Sequence, residues 1–310
     1  VVNGCPSHLL EPSRLQLIKY SEDFSNAYWT KTNTTVTSGF LSPDGTNNAF
    51  KLISNNGGNI IARPSISLNT NHATSIYLKR VSGNGNVSIF KPNGNEQIIT
   101  LTDEWQRFTD INSVNPSNAY MGVRLYGLND EILIYGFQLE EGSYPTSYIP
   151  NYGTSAGITR SAETANGAGD ASTFNDSEGV LMLEVSSSAK GENRQLGISD
   201  GSSSDRVIIT LRPDNETVRF YYEGTIGGST QIDSAGHNFN NTLKIACKYK
   251  SGDIALWVNG IEVGTSTSAI TTSGLNVLDF YNVANSALVM YSNTKQLQYF
   301  DSALNDSDLE

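Results

Sequence analysis

Two prolines divide this chain. Pro145 and Pro150 follow directly on a strand pattern, Glu131–Leu139 (EILIYGFQL), inside the stretch Gln138–Pro150, QLEEGSYPTSYIP. Each removes a backbone donor, so the stretch ends any ladder and runs extended. Short strand patterns resume beyond it. A chain that stops pairing and then restarts in this way crosses a domain boundary. Its 310 residues give each side enough length to bury its own core.

Both sides read as β. Before the boundary, strands are expected at Leu15–Tyr20, Ala49–Ile53, Ile60–Ile66, Thr74–Val81 and Val87–Lys91, then at Gln97–Leu101, Gln106–Ile111, Met121–Tyr126 and Glu131–Leu139. After it they are expected at Val180–Ser186, Gln195–Ser199, Arg206–Arg212 and Val218–Tyr222, then at Leu243–Tyr249, Ile254–Val258, Val277–Phe280 and Ala287–Phe300. A recurrence of about ten residues, punctuated by Gly, Asn and Asp turns, is the signature of a sandwich or jelly roll. Asn259-Gly260 is the clearest hairpin turn. Only Asp301–Leu309 has helical spacing, with Asn305 or Ser302 placed to cap a short turn. The expected fold is all-β: two consecutive antiparallel β-sandwich (jelly-roll) domains. Residues 1–14 form a lead-in, 15–150 the first domain, 151–157 a linker and 158–310 the second domain.

Charge narrows the partners. The net charge is −11, split unevenly: residues 1–150 carry 10 basic against 12 acidic side chains, residues 151–310 carry 10 against 19. No basic run exists to neutralise phosphates, so nucleic acid is excluded as a partner. No apolar run is long enough to cross a bilayer, so membrane insertion is not expected. The two cysteines, Cys5 and Cys247, lie in different halves. Cys247 shares the alternation of Leu243, Ile245 and Tyr249 and is expected as a buried thiol.

Period-2 alternation separates the faces of each strand. Met121, Val123 and Leu125 form one face of their strand, leaving Tyr120, Arg124 and Tyr126 on the other. Tyr77 and Lys79 lie opposite Ile76 and Leu78. If these strands are neighbours, Tyr77, Lys79, Tyr120, Arg124 and Tyr126 line one polar, aromatic face suited to a glycan. Flat rings meet the C–H faces of sugars and charged groups bond their hydroxyls. In the second half, Trp257 lies opposite Ile254, Leu256 and Val258. Like Trp29 and Trp105 it reads as a packing residue, the usual role of a large aromatic near a strand start, or, with Arg219 and Tyr221, as part of a second surface.

Catalytic patterns are absent. His8, His72 and His237 show no metal-ligand spacing, and no Gly-x-Ser-x-Gly or phosphate loop occurs. Glu140-Glu141 and Asp103-Glu104 are adjacent, so on a strand their side chains point to opposite faces. Catalytic residues are therefore expected to be none. No cofactor is required, although Asp44, Asp200 and Asp205 sit in oxygen-rich turns of the kind a structural calcium uses.

Three segments carry a resemblance. Cys5–Lys31, Gln138–Pro150 with Ile158–Glu163, and Leu243–Thr265 resemble tail-fibre-like structural proteins of bacteriophages. The first half is similar to jelly-roll carbohydrate-binding modules and the second to concanavalin A-like (laminin-G-like) lectin sandwiches. In related modules an acidic residue of the last strand often holds calcium, whereas Tyr135-Gly136 here offers no carboxylate. The resemblance implies a non-catalytic adhesion region of a phage fibre or other virion-surface protein that recognises a polysaccharide or surface glycan. It also implies a homo-oligomer, a trimer in a fibre. The alternatives are a targeting module of a secreted polysaccharide-degrading enzyme, with an extracellular location, and a structural spacer without ligand.

Overall fold

Alternating β-branched and aromatic residues become strands along both halves. The structure, a computed structural model, describes residues 7–64, 71–91, 95–113, 120–187, 191–284 and 286–310. The strands begin with β1 (His8–Leu9), β2 (Arg14–Gln16), β3 (Thr30–Phe40), β4 (Ala49–Ala62), β5 (Asn71–Ser82), β6 (Val87–Phe90) and β7 (Glu96–Ile99). Next come β8 (Gln106–Ser113), β9 (Met121–Leu125), β10 (Glu131–Glu141), β11 (Ile158–Arg160), β12 (Glu178–Ser186), β13 (Arg194–Ser199) and β14 (Arg206–Arg212). The series closes with β15 (Thr217–Gly224), β16 (Gly228–Ala235), β17 (Leu243–Lys250), β18 (Ile254–Val258), β19 (Ile261–Ser266), β20 (Val277–Asp279) and β21 (Asn293–Phe300). The fold is all-β and antiparallel, built as sandwiches. No helix among the described residues is long and apolar enough to cross a membrane.

Ser13–Ser161 is one compact unit, and Ala162–Glu310, joined by residues that precede Ser13, is the other. These limits differ from the expected ones at both ends. Strand β1 pairs with β21, so the lead-in belongs to the second unit. The expected linker, 151–157, and the strand after it belong to the first. Asn151 is buried and takes a backbone hydrogen bond from Ser21, while β11 pairs with β2.

In the first unit β4 joins two arms of a ten-stranded sheet that folds over on itself as a sandwich. Its Phe50–Ile53 half pairs with β10, its Asn59–Ala62 half pairs with β9, and β3 follows it along the other edge. The bend between the halves falls at exposed Asn55, Asn56 and Gly57, where Gly57 adopts φ +64°. One arm continues from β10 to β5 and β8; the other continues from β9 to β6 and β7. Ile76, Leu78, Ile132 and Ile134 face Ile60, Met121, Val123 and Val87 across the core. Thr74 Oγ1 reaches Met121 Sδ at 3.9 Å through that core.

The proline stretch lies over the outer face of the β10–β5 sheet as a strap. A bulge at Gly136, φ +60°, breaks the register of β10, and Tyr148 packs directly over that glycine. The Tyr148 hydroxyl hydrogen-bonds Ser21 Oγ at 2.6 Å. Gln16 spans the chain beneath: its amide donates to Phe137 and Ile149 carbonyls, and its oxygen accepts from Ile18 and Leu139.

The second unit stacks a six-stranded sheet, β1-β21-β12-β17-β18-β19, on a five-stranded one, β16-β15-β14-β13-β20. Leu181, Ile245 and Leu256 meet Ile209, Phe220 and Tyr222 between them. Asn259 and Gly260 both take positive φ, closing the β18–β19 hairpin as their sequence requires. The C-terminal turn is a short 3-10 segment, Asp306–Asp308, with Asn305 at its cap position but making no side-chain cap bond. Cys247 is buried and free, its thiol pushed up by burial. Cys5 and the end of the expected strand Ile60–Ile66 lie outside the described residues.

Candidate functional site

The proposed single face of five residues does not form. Tyr77 and Lys79 lie on β5 and Arg124 on β9, and these strands lie on opposite arms of one ten-stranded sheet that folds over the core through β4. The alternation assigns each residue to the outer side correctly, but the core separates the two sides. Tyr77 lies near the strap-covered face: its ring is 5.9 Å from that of buried Tyr135 and it carries the Arg107 guanidinium at 5.5 Å. Arg107 in turn donates to Ser75 Oγ and the Thr146 carbonyl, so this cluster holds the strap in place.

Tyr120, Arg124 and Tyr126 do come together on the outer face of the β9–β6 sheet. Three residues not anticipated from sequence complete the group: Arg63, Phe90 and Glu96. Cross-strand neighbours share a face, and here Phe90 stands opposite Gly122 and Ser88 opposite Arg124. Without a side chain at Gly122, the Phe90 ring occupies the room between Tyr120 and Arg124.

A ladder of rings and guanidinium groups results. Arg63 sits 5.3 Å from the Tyr120 ring centroid, and Tyr120 meets Phe90 edge-on at 5.0 Å. Arg124 then lies 5.1 Å from Phe90 and 5.8 Å from Tyr126. Phe90 is only 2 % exposed, while Tyr126 is 45 % exposed. Cations over ring faces are attracted by the aromatic quadrupole, which orders this surface on the side of the sheet away from the core.

Glu96 fixes the far end. Its Oε1 takes the Arg124 guanidinium at 2.6 Å. Its Oε2 accepts from the Tyr126 hydroxyl at 2.8 Å and the Ser88 hydroxyl at 2.6 Å. The result is a pre-ordered aromatic platform rimmed by hydrogen-bonding groups, suited to binding a ring with one apolar and one polar face.

The second expected surface is also divided. Arg219 and Tyr221 lie on β15 in the five-stranded sheet, whereas Trp257 lies on β18 in the six-stranded one. Trp257 does face away from the main core, as its alternation predicts. It is nevertheless 1 % exposed, packed with Ala246, Ala255, Val180 and Leu309 beneath the C-terminal segment, with Lys248 Nζ 5.3 Å from its ring centroid. Arg219 is held by two hydrogen bonds to Asp233, at 2.8 and 2.9 Å, and this pairing keeps the Asp233 carboxyl below its usual range. The Tyr221 ring is covered by Arg206 at 5.0 Å.

The turn aspartates are engaged by protein donors. Asp44 accepts from the Thr46 amide and the hydroxyls of Ser42, Thr46 and Tyr135, the Ser42 bond leading the effects that hold its carboxyl well below the ordinary range. Asp200 bonds Ser202, and buried Asp205 bonds the amides of Thr225 and Ser273. Among the described residues no cluster of three or more His, Cys, Asp or Glu side chains is placed to hold a metal ion.

No protein-family model matches the chain, and no curated protein matches it. Solved structures to which it is similar include the CBM40 of a Ruminococcus gnavus IT-sialidase, at TM-score 0.38 and 15 % identity over 47 % of this chain and 91 % of that one. Mouse laminin alpha1 domains LG4-5 match at TM-score 0.30 and 11 % identity, over 97 % of this chain and 96 % of that one. The carbohydrate-binding module CBM66 of Bacillus subtilis matches at TM-score 0.25 and 9 % identity, over 88 % of this chain and 95 % of that one. Likenesses this distant carry no argument about ligand or activity.

Proposed function

We propose that this chain is a non-catalytic glycan-binding region whose binding surface is the ladder on the outer β9–β6 face. The observation that carries the reading is the chain of contacts from Arg63 through Tyr120, Phe90 and Arg124 to Tyr126, locked by Glu96. Stacking on a shallow platform gives weak binding per site, and several copies on one particle raise it by avidity. The sequence resemblance to phage fibre proteins supports a virion-surface setting with adhesion to host glycan, and an oligomer there.

A glycan array of the whole chain, spanning bacterial-surface and algal polysaccharides, with calcium and with chelator, tests the reading. Binding that falls when Tyr126 and Arg124 are replaced by alanine is expected. Loss of binding in chelator would add a calcium requirement. Absence of binding across the array, at millimolar sugar, would end the proposal and leave a structural spacer.

A further inference from the structure

The charge on the ladder is lopsided. Glu96 is committed to three donors at one end, Arg124, Tyr126 and Ser88. At the other end Arg63 is exposed, its guanidinium over the Tyr120 ring at 5.3 Å, and among the described residues no carboxylate lies within ion-pair distance of it. Its position follows from the backbone: Arg63 comes directly after β4, whose last rung pairs Ala62 with Met121. The ring beneath supports the guanidinium without using its N–H edge.

Such a group presents a planar fork of donors, the shape that matches a carboxylate through two parallel hydrogen bonds. Among the described residues it is a positive charge without an ion-pair partner, on a chain of net charge −11 that would otherwise repel a polyanion. The neighbouring platform carries no net charge, since Arg124 and Glu96 are paired there. Resting on the glycan-binding reading above, we propose that the ladder takes an acidic polysaccharide, pairing a uronate carboxylate with Arg63 while the sugar ring lies along Tyr120 toward Tyr126. Arg63 then selects the charge and the rings supply the stacking.

Polygalacturonate and its fully methyl-esterified form share one backbone and differ in charge. Calorimetric titration of the full chain with each, beside neutral polymers that bind in the array, separates the two claims. The proposal expects binding to polygalacturonate that weakens about tenfold or more on esterification, as loss of a charge-assisted pair implies. Arg63→Gln should weaken polygalacturonate binding by a similar factor with the thermal midpoint unchanged. Arg63→Lys should recover only part of it, because an ammonium lacks the fork. Equal affinity for both polymers, or an Arg63→Gln variant that binds normally, would overturn the acidic-ligand inference while leaving neutral-glycan binding intact. Stronger binding to dextran sulfate than to polygalacturonate would replace the carboxylate by a sulfate and overturn it too. Silence on every polymer, neutral or acidic, would remove the glycan-binding reading and this inference together.

Discussion

Glu140 and Thr146 are joined twice: the Thr146 amide donates to Oε1 and its hydroxyl to Oε2, each at 2.6 Å. Glu140 is fully buried, and Gln138 Nε2 adds a third donor at 2.8 Å, with Arg14 at 3.7 Å. The pair fastens the proline strap to β10. Glu140→Ala strands buried donors and the Arg14 charge, so a loss of about 3–5 kcal/mol is expected. Urea unfolding measures it. An unchanged midpoint would mean the strap is held by packing alone.

Binding and stability should separate at the ladder. Tyr126→Ala and Arg124→Ala are each expected to weaken polysaccharide binding about tenfold, or about 1.4 kcal/mol, with little effect on melting. Lys79→Ala, on the opposite arm of the sheet, should leave affinity unchanged. Affinity electrophoresis against an array-positive polymer resolves the three variants. Equal losses in all of them would contradict the assignment of the ligand to one face.

Alkali should loosen both units. Burial pushes the Tyr28 phenol up to about 12 and also raises Tyr148 and Tyr249. Tyr135 is raised by burial first and then by its bond to Asp44. A phenol whose folded value is raised contributes stability that is fully present below the unfolded value of about 10 and is lost as pH rises toward the folded one. Denaturation midpoints should therefore fall between about pH 9 and about pH 12, with phenolate absorbance lagging behind free tyrosine. Tyrosines that titrate normally in the folded protein would refute this.

The C-terminal segment should report on Trp257. Leu309 is buried against it, and Lys248 ties Asp306 at 2.7 Å beside the same ring. Leu309→Ala should cost about 2 kcal/mol or more and shift tryptophan emission to the red. A Trp257→Phe control, which should abolish that change, identifies the ring responsible.

Much of the fold was legible because apolar alternation is strict where both layers press on a core, as in Met121, Val123 and Leu125. β3 was missed for the opposite reason: TKTNTTVTSGF is a mostly polar edge strand with no buried residue, held by backbone pairing to β4 rather than by a hydrophobic face. At the site, period 2 told which side of a strand each residue occupies but not which strand lies beside it. Alternation alone therefore puts Tyr77 and Tyr126 on one face, whereas they stand on opposite sides of a core. Phe90 carried a signal, since it alternates with Val87 and Ile89 and shares a face with Ser88. Burial of Trp257 fits a large aromatic beside a strand start, but no local pattern names its roof, Leu309, some fifty positions later.

The double membership of β4 has a mechanical consequence. A pull on a polymer held at the proposed site would enter at Arg124, cross the rung to Asn59, and run along one covalent strand to Lys51 and its rung with Leu133 on β10. Tension therefore travels along the strand axis, where several backbone hydrogen bonds must shear at once. On the proposed reading, a ligand held at the ladder and the strap held on β10 would share one covalent strand, and a load on the first would reach the second through β4.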